Sequence, residues 1–192
     1  MKRVLFAAAA VWFAAGACGA LSAQTVASAP SGPSPQRASS PGTPGPAAEV
    51  QGSYNRLKPN VIKAAEKMPD ADYQFKPVAD IRTYARIVNH ITEAQRHTCS
   101  AMNGTTFDPK SVPSDTADKA TIVAALKASF DACDKAYGAL TDANVAELVG
   151  QGQRKRSRIG MAWGNVSHDN EQYAELSTYL RLKDIVPPTA EK

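Results

Sequence analysis

Residues 157–182 read SRIGMAWGNVSHDNEQYAELSTYLRL. The apolar positions Ile159, Trp163, Val166, Tyr173, Leu176 and Leu180 recur at three, four or seven residues, which is the spacing of one stripe on an α-helix and not the alternation of a strand. The helix is expected to span about Ser157 to Leu182, and Val186-Pro187-Pro188 closes the fold. The stretch therefore predicts a long amphipathic helix with Trp163 and Tyr173 in the core. His168 and Gln172 stand one turn apart, so both project from one face.

Three more helices are expected upstream. Tyr54, Leu57, Val61, Ile62 and Ala65 share a face over residues 53–67, ending at Met68-Pro69. Asp80 is a candidate cap for a second helix reaching about Met102, with Ile81, Tyr84, Ile87, Val88, Ile91 and Ala94 in register. Residues 103–116 hold Gly104, Pro109 and Pro113 and read as a loop. Asp118, or Thr116 before it, opens a third helix carrying Ile122, Leu126, Phe130, Cys133 and Tyr137. A short helical turn is expected at 142–149. No sustained period-two alternation occurs, so the class is all-α and the architecture a four-helix bundle over 51–192.

The first fifty residues differ in kind. Lys2 and Arg3 precede an apolar run from Val4 to Ala15 and then small residues, the pattern of an export signal over 1–23. The run is shorter than the roughly 20 residues of a membrane span. Cys18, in Ala15-Gly16-Ala17-Cys18, offers a second reading as a lipid-anchored lipoprotein. Residues 24–50 are rich in Pro, Ser and Gly and read as a disordered linker. Both readings place the protein outside the cytoplasm, in the periplasm or secreted, or anchored to a membrane. The chain carries 22 Lys and Arg against 18 Asp and Glu. Two of the bases lie in the signal, so the balance gives no argument for a nucleic-acid partner.

Beyond Cys18, the remaining cysteines are Cys99 and Cys133. In an oxidising compartment an even pair reads most simply as a disulfide, with two buried free thiols as the other reading. Both cysteines lie late on their helices. A bridge thus requires the second and third helices to run parallel, or a long connection to bring them into register.

Several segments resemble one family in the same order: MPDADYQFKP at 68–77, NHITEAQ at 89–95, ATIVAALKASFDACDKAY at 120–137 and HDNEQYAELSTYLRLKDIVPP at 168–188. Across about Tyr54 to Pro188 the chain resembles exported members of the DinB-like superfamily. That resemblance implies a four-helix bundle with a long crossover and a divalent ion on three histidines. One comes from the second helix and two, spaced His-x-x-x-His, from the fourth. His90 and His168 match the first two, and Gln172 departs from the third.

A glutamine carbonyl is a weaker, harder donor than imidazole, so the ion (zinc, nickel, iron or manganese) would be held less tightly. Glu93, three residues after His90, is the first candidate to complete the set, ahead of Glu171 and Asn165. His97 lies two turns from His90, too far for the same ion. The run 154–158 reads as a solvated helix entrance. No Gly-x-Ser-x-Gly elbow occurs.

Two functions are expected to compete. One is a metal-binding protein or metal-dependent hydrolase or transferase acting on an unidentified small molecule. The other is a non-catalytic bundle of the cell envelope, binding a protein there, with a vestigial site in which Gln172 bonds both imidazoles. The thiol-dependent transferases among the relatives use cytoplasmic thiols, which sits poorly with export. The family resemblance also implies a homodimer.

Overall fold

Three helices open on a side chain that accepts a backbone N–H three residues ahead: Thr83 from Arg86, Asp118 from Thr121 and Ser157 from Gly160. Each cap satisfies one of the donors a helix start leaves over. In the computed structural model, which describes residues 42–150, 152 and 155–192, these caps begin α2 (Tyr84–Met102), α3 (Lys119–Gly138) and α4 (Arg158–Arg181). The export signal, Cys18 and most of the linker lie outside the described residues.

The first helix, α1, spans Pro46–Lys67 and so begins inside the stretch read as linker. Proline at the first helical position needs no N–H and has a helix-compatible φ. Ala47 then finds its acceptor far away in sequence, donating to Asp142 Oδ1 at 2.9 Å. Ala47 and Val50 are buried, so the added turns contribute to the core.

Other boundaries also moved. The cap of α2 is Thr83, not Asp80, and Ile81 stands exposed before the helix. No helix forms at 142–149; a single turn bonded from Val145 N–H to Thr141 O at 3.1 Å stands at its start. That segment folds as turns and then pairs β1 (Leu148–Val149) antiparallel with β2 (Arg156–Ser157). Trp163, expected inside, is 41% exposed, whereas Tyr173, Leu176 and Leu180 are buried as expected.

α2 and α3 run parallel. Asn89 near the start of α2 donates to Pro113 O and Asp115 Oδ1 in the segment before α3, while Asn103 after α2 donates to Ala132 O late in α3. The connection from 103 to 118 therefore returns the full length of the bundle. It brings the ends together where Cys99 and Cys133 form a disulfide, with Cα atoms 5.0 Å apart. α1 runs opposite to α3, since Gln51 near its start donates to Tyr137 O and Leu140 O at the end of α3. α4 runs opposite to α2, since Tyr179 late in α4 donates to Arg82 O before α2. This is the up-down-down-up bundle with a long crossover that the cysteines demanded.

A candidate metal centre between α2 and α4

The antiparallel packing of α2 on α4 brings His90 and His168 face to face, 78 residues apart in sequence. Their Nε2 atoms are 3.1 Å apart and their rings meet edge-on, centroids 4.9 Å apart. Both are partly buried at the side of a cavity of about 380 Å³ also lined by Ala94, Phe107, Met161 and Asn165.

The other ring nitrogens each face a carboxylate. His168 Nδ1 lies 3.4 Å from Asp169 Oδ1, and His90 Nδ1 lies 3.9 Å from Glu93 Oε2. Asp169 is fully buried, and its second oxygen accepts from Asn165 Nδ2 at 3.2 Å. Burial pushes its pKa up to about 6, opposed by the hydrogen bonds from His168 and Asn165. Burial, then the nearby His168, Arg82 and Arg86, holds His90 below the ordinary histidine value, with Glu93 pulling the other way. Neutral imidazole is the form that binds metal.

A carboxylate opposite Nδ1 favours the proton there and leaves Nε2 as a lone pair, the arrangement behind metal-bound histidines. Two Nε2 lone pairs at 3.1 Å repel each other unless a cation adjoins both. Two nitrogens about 2.0–2.1 Å from one tetrahedral ion stand roughly 3.3 Å apart. The two imidazoles fit such an ion.

The rest of the expected ligand set is arranged otherwise. Glu93 stands on the Nδ1 side of His90, 3.9 Å away and within ion-pair range but not hydrogen-bonded, is bonded by Arg86 and also lines the cavity. Gln172 is buried on α4 but does not line the cavity, and its Oε1 has no protein partner. It bonds neither imidazole. Glu171 is exposed. His97 lines the cavity further along α2, its ring 6.3 Å from Phe107. Among the described residues no group of three or more His, Cys, Asp or Glu is arranged around one point.

The sequence alone did not single out Asp169. Its neighbour His168 carried the pattern, and nothing in a one-residue step says that the carboxylate turns into the core.

A family model described as the DinB superfamily matches residues 53–176. The chain belongs to the DinB superfamily. A DinB-like protein from Bacillus cereus, known from a crystal structure, is similar in fold: 72% of this chain and 93% of that one superpose with a TM-score of 0.59 at 15% identity. No curated protein matches the chain. The DinB fold thus supplies the frame of the two-histidine centre, and its chemistry rests on this chain's own residues.

Proposed function

We propose that this DinB-superfamily protein is an exported divalent-metal-binding bundle. His90 and His168 hold zinc, nickel, iron or manganese through Nε2, for metal-dependent hydrolase or transferase chemistry on a small molecule. The observation that carries this reading is the pair of converging Nε2 atoms, each on a ring whose Nδ1 faces a carboxylate. When bound, the ion would supply Lewis-acid polarisation of a ligand in the cavity. Asp169, fixed by Asn165, holds the His168 ring and its tautomer; the Glu93 carboxylate near His90 Nδ1 favours a proton on that nitrogen. Two protein ligands are one fewer than the usual catalytic set, so water or a ligand from the cavity would complete the coordination.

A second reading is favoured by one distance. At 3.1 Å the imidazoles also meet the criterion for an N–H···N bond, in which one Nε2 donates to the other. The centre would then be a closed polar contact in a non-catalytic envelope module.

Elemental analysis separates the two. The protein, purified without a histidine tag, is compared with His168→Ala. Near-stoichiometric metal that disappears in the variant is the expected result. Wild-type protein that takes up no ion even from excess zinc, nickel or manganese would sink the metal reading and leave the closed pair.

A further inference from the structure

Arg156 lies on β2, just before the cap of α4, and belongs to a run that reads as a solvated helix entrance. It is exposed, as that reading expects, and its guanidinium lies beside Gly164 of α4. A Cβ built on Gly164 would stand 3.2 Å from Arg156 Nη1 and 3.7 Å from Nη2; one on Gly160 would stand 3.8 Å from Nη2. Gly160, Gly164 and His168 follow one another at four-residue steps, so they form one face of the helix. The guanidinium is therefore about one turn, roughly 6 Å of helix rise, from the His168 position. It lines the same cavity as the imidazoles and also the adjoining cavity of about 820 Å³.

Its neighbour is committed elsewhere: Arg158 pairs with Glu147 and donates to Met102 O. Arg156 has no such partner among the described residues, and no acidic side chain occurs in the chain before Glu49. Phe107 and Met161 line both cavities beside it. A planar five-donor cation, placed where glycines make room for it and beside an apolar wall, is suited to bidentate recognition of a carboxylate.

We propose that Arg156 anchors the carboxylate of a small monoanionic ligand, whose apolar body lies on Phe107 and Met161 within reach of His90 and His168. A dianionic phosphate would call for more cationic or amide donors than this single fork provides. The inference rests on the metal-site reading for the role of the cavity as the place of chemistry. Gly164 serves it, since a side chain there would press on the guanidinium.

The test is a titration with hexanoate, hexan-1-ol and hexylammonium, followed by amide and Arg Nε–H chemical shifts, on zinc-free and zinc-treated protein. Hexanoate should bind wild type at least roughly tenfold more tightly than the alcohol or the amine, as loss of a charged hydrogen-bond pair implies. Arg156→Gln should remove that preference. Gly164→Ala keeps the charge and favours the helix, yet should weaken hexanoate binding by lifting the guanidinium.

Equal hexanoate affinity in wild type and Arg156→Gln overturns the proposal, as does alcohol binding equal to hexanoate or no hexanoate binding. Arg156-dependent hexanoate binding in a protein that takes up no zinc supports this inference while removing the metal reading. Zinc uptake by a protein whose hexanoate affinity is the same in wild type and Arg156→Gln does the reverse.

Discussion

The helix pair α1 and α3 and the helix pair α2 and α4 bury polar groups in different ways. Between α1 and α3, Tyr54 stacks on Tyr137 with ring centroids 3.9 Å apart. Tyr54 donates toward Phe130 O and Asp134, and Tyr137 donates to Ala162 O. Both tyrosines of these two helices thus have protein partners for their hydroxyls. By contrast, the buried side-chain atoms left without a partner among the described residues belong to Asn89, Gln95, Arg96, Asn165, Gln172 and Ser177, all on α2 or α4. Natural cores pair nearly all such groups. The first pair of helices uses polarity to tie the bundle together, and the second carries surplus polarity on the helices that present the two histidines.

The largest effect expected to bear on this contrast is alkaline unfolding. Burial raises the hydroxyls of Tyr54, Tyr73, Tyr84 and Tyr137 above their ordinary value of 10. Raised folded values mean that the stability they contribute is complete below pH 10 and is lost as pH climbs, because only the unfolded chain releases those protons. Each can remove up to about 1.4 kcal/mol per pH unit. Tyrosinate absorbance should therefore appear together with loss of helical circular dichroism. Smooth titration near pH 10 with the helices intact would break the claim that the tyrosines are closed.

Next comes the covalent tie. The disulfide closes a separation of 34 residues, and its removal by Cys99→Ala/Cys133→Ala should cost about 3–4 kcal/mol in urea unfolding. The denatured, unreduced protein should show no titratable thiol from this pair.

Smaller effects sharpen the comparison directly. Tyr137→Phe, on α3, removes a buried hydroxyl that donates to Ala162 O at 2.8 Å and should cost about 1 kcal/mol. Gln95→Leu removes two amide atoms that have no protein partner, and should be neutral or stabilising within about 1 kcal/mol. If the glutamine change costs more than the tyrosine change in the same unfolding assay, the two helix pairs do not differ as described.

Much of this arrangement can be read from one chain. The stripe Ile122, Leu126, Phe130, Cys133, Tyr137 repeats with the helix and is buried throughout, and Asp118 caps it as its chemistry suggests. The two cysteines carried topological information, since a bridge late on both helices leaves no room for a tight hairpin. His90 and His168 meet because helical spacing and antiparallel packing both point them there.

What escaped the sequence depends on distant partners. The start of α1 is fixed by Asp142, 95 positions from Ala47, whereas proline and glycine nearby suggested only a linker. Glu93 shares a face with His90, but spacing does not say which ring nitrogen it approaches. Trp163 fits the stripe of α4 and lies at the margin of the buried arc. Arg156 is exposed, as its charged surroundings suggested, but its place beside Gly164 and at the cavity is read only once the helix is built.

The parallel course of α2 and α3 has a consequence for how the chain survives damage. The segment 103–118 crosses the length of the bundle, and part of it, Phe107 included, lines the cavity. It also lies wholly between Cys99 and Cys133. A protease that nicks it produces two polypeptides that remain one covalent molecule, with both histidine-bearing helices in the same particle. The crossover can thus be cut without the protein coming apart, until a reductant opens the bridge.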